Sequence, residues 1–495
     1  MINVLPIFIL VPLGAGFTML LSHRLGKRLP DFIGNAAVFF LMAMAFSLYF
    51  FRPFGAVMIF RSGDLPSIVG VNFVLDGLSH LLLLTVNMVA FFIAFYSVSY
   101  MERYTKKEKY YSLLMLMVAG MNGVVLAGDF VSLFIFMELA AISGSALVAF
   151  GTESEELEAS FKYLIMGSVA SIFILFAIIL IYGLTGTTNM ADISQCFPFS
   201  AKYAKMLITL LFLMGFGTKA AIIPFHAWLP DAHPAAPAPI SAMLSGVLIK
   251  ALGIYALVRI FYNVLGMTYA LSNIFMTLGA VSLLVGVIMA LGQWDFKRLL
   301  AYHSISQIGY VILGLGLMTP LGVMGGLFHL FNHAIFKPLL FLTAGSVEYS
   351  TGTRQLKELG GLRQKMPVTS NTSLAASLAI SGIPPFNGFW SKLFIIIACI
   401  QAGRLWFALA AVIGSILTLS SFMKIQKYVF FEKLPAKLRD TKESPWFMGT
   451  SMVVLALLCL AIGLFFPLIV DFLINPAVAS VSIGTGYGQL VLGGF

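Results

Sequence analysis

The stretch "GFGTKAAIIPFHAWLPDAHPAAPAPIS", Gly215 to Ser241, interrupts an otherwise apolar chain with a lysine, two histidines, an aspartate and five prolines. Lys219 lies near the end of an apolar run, and Pro224 follows five residues later. Proline lacks the N–H a helix needs and frees the carbonyl four residues back, here that of Ala220. Backbone left unpaired at membrane depth persists only where it lines protein or a water-filled cavity. The spacing of His226, Asp231 and His233 invites a metal site, but Pro230 and Pro234 keep the three off one helical face. The stretch therefore reads as a rigid cytoplasmic connection between a broken seventh span and the eighth. His226 fits either the mouth of a polar path or a structural hydrogen bond.

Around this break, 60% of the 495 residues are hydrophobic and 10% charged, with mean hydropathy +0.97. That composition excludes a soluble globular chain. Apolar runs of about 20 residues, each able to cross about 30 Å of hydrocarbon, fall at roughly 2–21, 31–51, 75–98, 111–128, 130–150, 160–184, 203–224, 240–262, 267–292, 298–318, 321–347, 371–401, 405–430 and 446–473. They predict an all-α integral membrane protein of about fourteen spans, the seventh and twelfth discontinuous. The first run lacks a basic flank and a small-residue cleavage site, so it reads as a retained span.

The thirty Lys and Arg residues sort into three groups. Eighteen lie in alternate connections: Arg24, Lys27 and Arg28; Arg103 to Lys109; Lys297 and Arg298; Arg354 to Lys365; Lys427 to Lys442. Six (Arg52, Arg61, Lys202, Lys205, Arg259, Arg404) lie on the other side, and six (Lys162, Lys219, Lys250, Lys337, Lys392, Lys424) within or at the edge of apolar spans. The positive-inside bias puts the basic-rich side in the cytoplasm and both termini outside. The basic excess reports topology, not nucleic-acid binding. Cys196, Cys399 and Cys459 stand singly, so no zinc or iron–sulfur ligand set and no disulfide framework is implied, and no cofactor is expected.

Intramembrane lysines are costly, about 2.5–3.5 kcal/mol each at a helix centre on insertion scales. Lys162, Lys219 and Lys250 recur as Lys337, Lys392 and Lys424, at offsets of 175, 173 and 174 residues. Ala159-Ser-Phe-Lys162-Tyr-Leu resembles Ala334-Ile-Phe-Lys337-Pro-Leu, and Gly215-Phe-Gly-Thr-Lys219 resembles Gly388-Phe-Trp-Ser-Lys392. The shift equals five spans, and an odd shift reverses direction, which predicts two inverted five-helix repeats. The expected divisions are helices 1–3 over 1–110, repeats over 111–262 and 263–431, and a last helix and tail over 432–495. Pro384 and Pro385, with Gly382 and Gly388, break the twelfth span as Pro224 breaks the seventh.

Glu138 shares a face with Ala141 and Ser145, so it is expected to point into the bundle. A buried ammonium gives up its proton more readily, and an adjacent carboxylate holds it there. Moving such a partner switches a lysine between holding and releasing a proton; a static ion pair is the competing reading. His329, His333 and Lys337 lie on one helix face. They suit a hydrated proton relay better than zinc, which lacks a third ligand there, and plain packing remains open. Tyr302, His303, Ser306 and Gln307 form a polar cluster in which His303 relays between halves or is a satisfied core histidine. Asp76 with His80 reads as an entrance or a polar contact, Asp129 as a solvated boundary residue, and Glu153 to Glu158 as a surface. Gly484-Thr-Gly-Tyr-Gly does not follow a strand, so no dinucleotide site is implied.

Together these residues resemble one superfamily: the antiporter-like subunits of respiratory complex I, Mrp-type Na+/H+ antiporters and energy-converting membrane hydrogenases. The resemblance rests on Phe225-His-Ala-Trp-Leu-Pro-Asp-Ala-His-Pro, Glu138 with Lys219, His303-Ser-Ile-Ser-Gln-Ile-Gly-Tyr, His329-x3-His333, Gly360-Gly-Leu-x3-Met366-Pro and Gly382-x-Pro-x3-Gly-Phe-x2-Lys392. It spans about residues 70–470. With lysine at 392, where some complex I relatives carry Glu, it is greatest toward the Mrp D-type subunit and its membrane-bound hydrogenase counterpart. The resemblance implies a first half-channel at Glu138 and Lys219, a central relay at Lys250, a link through His329, His333 and Lys337, and a terminal proton-accepting Lys392. Lys424 rests on the internal repeat alone. The resemblance also implies partner membrane subunits and H+, with or without Na+, as cargo.

The leading expectation is a subunit that moves H+ along buried Lys, Glu and His, coupled to Na+ exchange or to a redox reaction in partner subunits. The alternative is a membrane subunit of a quinone- or ferredoxin-linked oxidoreductase that itself takes part in electron transfer or quinone binding. Whether the chain belongs to an enzyme stays open from sequence.

Overall fold

The computed structural model describes residues 4–22, 26, 28–51, 56–61, 72–197 and 201–493; Arg24, Lys27 and Arg52, counted above for orientation, lie outside them. Among the described residues, eleven helices are long and apolar enough to cross a bilayer. The other three expected spans are helical but fall short, each for a visible reason. Ile7–Ser22 has 16 residues and contains Pro12. Lys202–Lys219 carries lysines at both ends. The run at 371–401 is split into Pro367–Ser381 and Asn387–Gln401. A bent pair, Phe466–Ser482 and Gly484–Leu492, meets at 97° and would make a twelfth span. One feature departs from an all-α chain. Met58–Arg61 and Asn72–Leu75 form an antiparallel hairpin in which Met58 faces Leu75, where β-branched and aromatic residues suit a pleated ribbon.

An internal repeat shows in helix ends and breaks. Ser154–Thr185 and Pro320–Thr351 are each 32 residues long and end on a left-handed glycine, Gly186 at φ 70° and Gly352 at φ 75°, 166 residues apart. Thr185 and Thr351 each cap their own helix and the following turn through the hydroxyl. Beyond each glycine the chain pairs with the start of the preceding helix, Asp129 with Asn189 and Asp295 with Gln355. Asp129 and Asp295 are also helix caps, accepting from the N–H groups of Ser132 and Arg298 at 2.7 and 2.9 Å. Asp129 is therefore buried structure and not a solvated boundary residue.

The later elements repeat too. Ala238–Val264 and Leu405–Phe431 are each 27 residues long. Both finish in a π-helical turn, Arg259–Val264 and Gln426–Phe431, offset by 167. The two breaks match bond for bond at an offset of 161. Ala221 donates to Thr218 O and Ile222 to Gly217 O, as Gly382 donates to Ala379 O and Ile383 to Leu378 O. Ala221 and Gly382 both take positive φ, 54° and 79°.

These offsets revise the lysine pairing drawn from sequence strings. Lys219 corresponds to Ile380, Lys392 to Asp231, and Lys337 to Ser171. Lys250 and Lys424 each face an apolar counterpart. Short Gly-Phe-Lys strings recur by composition, whereas caps and breaks recur by geometry.

Three spans are enclosed on every side: Ala238–Val264, Phe296–Gly316 and Pro320–Thr351. They carry Lys250, His303, His329, His333 and Lys337. The Pro224–Ser241 stretch is more than a connection. Pro230 occupies the first turn of a helix, Leu229–Ala235, as proline can. That helix buries Trp228, Leu229 and His233 against the bundle.

Candidate functional site

Lys219 is the last residue of its half-helix, where unpaired carbonyls favour a cation. Its Nζ lies 3.3 Å from Glu138 Oε1, with side-chain exposures of 3% and 27%. The Ser171 hydroxyl also donates to that carboxylate. Glu138 is only partly turned inward: Val131, Ile135 and Ile142, on the same stripe of Phe130–Val148, are exposed. Its small-residue face, Ala141 and Ser145, is buried as expected. The acid thus stands at the rim of the bundle, between Lys219 and the outer face.

From there the polar groups pass into the enclosed spans. Lys250 donates to Ser245 O at 2.5 Å, inside a helix whose π-helical turns displace its carbonyls. Lys337 donates to Leu300 O at 2.5 Å. His333 lies within electrostatic reach of Lys250, Lys337, His329 and His233. Neither ring nitrogen of His233 or His333 has a hydrogen-bond partner among the described residues. His233, weighed from sequence only as a metal ligand, is fully buried because the short helix after the break packs it against the bundle.

On the far side, His329 hydrogen-bonds with Ser391 at 3.0 Å and with Gln307 at 3.2 Å. Ser391 precedes Lys392 on one helix, which ties the imidazole to the terminal lysine. Lys392 donates to Ile380 O at 2.7 Å, across the second break, and stands 4.6 Å from the Tyr310 ring centre. His303 hydrogen-bonds with Ser421 at 2.7 Å and so joins the Leu405–Phe431 helix. Glu138 with Lys219, the buried group of Lys250, His329, His333 and Lys337, and Lys392 beside the second break thus share one bundle, with His303 tied to its Leu405–Phe431 helix.

The other two lysines lie elsewhere. Lys162 is half exposed and bridges Glu158 at 2.8 Å and Asp231 at 3.1 Å. Lys424 donates to Leu291 O and Gln293 O at 3.0 and 2.7 Å and lies over Trp294, closing the end of the Tyr269–Leu291 helix. Asp76 forms a fully buried fork with Arg259 at 2.7 and 2.8 Å, backed by Ser79, Asn263 and the Tyr487 ring. Arg259 was counted among outer-side charges. Its position between Val258 and Ile260, with Asn263 one turn on, was the available signal for burial. His80 bonds Ala45 O and stacks on Tyr49, which makes it a packing contact.

The model of the NADH:quinone oxidoreductase/Mrp antiporter transmembrane family matches residues 127–418, and that of the complex I chain 5 N-terminus matches 66–111. The chain belongs to this family. It is 35% identical to the N-type subunit of NADH-quinone oxidoreductase from Desulforudis audaxviator, over 74% of each chain. It is 32% identical to the D-type subunit of the Na(+)/H(+) antiporter from Alkalihalophilus pseudofirmus, over 86% of each. A chain of the Mrp complex from Dietzia sp. superposes with a TM-score of 0.91 at 29% identity, covering 99% of both chains. This family member is a multi-pass membrane protein, and its structural neighbour is a subunit of a multisubunit assembly. The resemblance read from its motifs is thereby shown.

Proposed function

We propose that this chain moves protons through the membrane domain of a multisubunit complex, along Glu138, Lys219, Lys250, His333, Lys337, His329 and Lys392, with His303 as a side branch. One observation carries the reading: Lys250, His303, His329, His333 and Lys337 are buried in the three enclosed spans, and a lysine stands beside each broken helix. Lysine and imidazole both gain and lose protons, and His233 and His333 leave ring nitrogens for bridging water. At the first end, Glu138 and Lys219 hold a proton between them. At the second, the Ile380 carbonyl and the Tyr310 ring stabilise the charged ammonium of Lys392.

The cargo is H+, coupled to Na+ exchange or to a redox reaction in partner subunits, and both termini face outward. The repeats extend over 111–262 and 263–431. In vesicles carrying the assembled complex, Lys219→Ala and Lys392→Ala should each abolish proton transport, followed with a pH-sensitive dye. Transport at the wild-type rate in either variant sinks the relay. Lys→Arg at either position should also impair transport, because Arg holds its proton near neutral pH.

A further inference from the structure

We propose that Ser171 is a positioning residue for Glu138, its hydroxyl turning its O–H between the Glu138 carboxylate and the Gly167 carbonyl as the acid loses or gains a proton. Ser171 occupies the position that Lys337 holds in the second repeat: it bonds Glu138 on Phe130–Val148, as Lys337 bonds Leu300 O on the corresponding Phe296–Gly316 helix. Its Oγ donates to Glu138 Oε1 and stands 2.9 Å from Gly167 O, one turn back on its own helix. Lys219 Nζ shares that carboxylate oxygen. A Cβ on Gly167 would lie 3.7 Å from Lys219 Nζ, so this turn of helix is a wall of the site.

A hydroxyl has one proton and two lone pairs. Toward an ionised Glu138 it donates a charge-assisted bond. When Glu138 is protonated, its O–H needs an acceptor, and Ser171 Oγ provides one by turning its own proton to Gly167 O. That is the back-bond serine commonly makes in helices. Both states of the acid are then satisfied with no backbone movement. From the helices packed on Phe130–Val148, the titratable groups facing Glu138 among the described residues are Lys219 and Tyr163.

The inference rests on the proposed role of Glu138, and the test separates the two. In vesicles with the assembled complex, Ser171→Ala should lower proton transport about tenfold. It should also move the pH profile toward alkaline values, because the carboxylate loses a donor that favours its ionised form. Ser171→Thr should recover most of the loss, and Ser171→Cys, a weaker donor, should shift the profile part-way. In a Glu138→Gln background, Ser171→Ala should add nothing further. A wild-type rate and profile for Ser171→Ala, or an equal loss in the Glu138→Gln background, overturns the assignment. Intact transport in Glu138→Gln alone overturns the relay role of Glu138 itself, whereas a damaged Glu138→Gln beside a normal Ser171→Ala removes only Ser171.

Discussion

The two broken helices place a lysine beside the same kind of break from opposite sides. Lys219 ends the half-helix before the first break, and its counterpart is Ile380. Lys392 lies beyond the second break, yet its ammonium returns to the carbonyl of Ile380 at 2.7 Å. The fold thus keeps the location of the cation and not the residue that supplies it. The partners differ in kind. Glu138 can take a proton from Lys219, whereas a carbonyl and an aromatic ring can only stabilise a charged Lys392. On the proposed reading, the first site is switched by an acid and the second is the end of the line.

The largest contrast between the repeats lies at the π-helical turns. Arg259 and Gln426 open corresponding turns. Arg259 is locked onto Asp76, while Gln426 bonds the hydroxyls of Ser373 and Ser377 at 3.2 and 2.9 Å. Arg259→Met leaves a buried carboxylate unpaired and should cost about 3–5 kcal/mol. Gln426→Met leaves two hydroxyls and should cost about 1–3 kcal/mol. Thermal unfolding of the detergent-solubilised complex would rank them. Equal losses would mean that the two turns play equivalent parts.

The break geometry itself can be tested by moving the charge. Lys392→Ala removes the terminal cation, and Ile380→Lys places one where Lys219 stands in the first repeat. The double variant should regain measurable transport in vesicles where Lys392→Ala alone shows none. No recovery would mean that the ammonium must approach from the far side of the break.

A smaller effect separates the partners of the two lysines. Glu138→Gln should slow transport about a hundredfold, since it leaves the Lys219 charge without its counter-ion. Tyr310→Leu removes only a ring face from Lys392 and should slow transport about two- to fivefold. A Tyr310 variant as damaging as Glu138→Gln would give the second site a proton-exchanging partner after all.

Much of this was legible from the chain. Apolar run lengths located the spans, prolines located both breaks, and the resemblance named Glu138, Lys219 and Lys392. The exact repeat alignment was not, because it resides in hydrogen bonds. Thr185-Gly186-Thr187 and Thr351-Gly352-Thr353 are identical triplets, but only their capping bonds show that they end equivalent helices. The rim position of Glu138 depends on which neighbours cover the stripe of Val131, Ile135 and Ile142, and helical periodicity alone does not decide that. Burial of His233 and Arg259 likewise follows from tertiary packing of a short helix and a π-helical turn.

Lys424 brings the two alignments into direct conflict. Paired by sequence with Lys250 at an offset of 174, it belongs to the proton path. Paired by helix ends at 167, it faces an apolar counterpart and only closes the Tyr269–Leu291 helix through Leu291 O and Gln293 O. A lysine on the last carbonyls of a helix is worth about 0.3–1 kcal/mol. Lys424→Met should therefore lower thermal stability slightly and leave proton transport within about twofold of wild type, since such a cap touches no proton carrier. The same substitution at Lys250 should abolish transport, because that buried ammonium lies within electrostatic reach of His333 and Lys337. If Lys424→Met stops transport without disturbing assembly, the string alignment is functional and the two repeats each carry a central lysine.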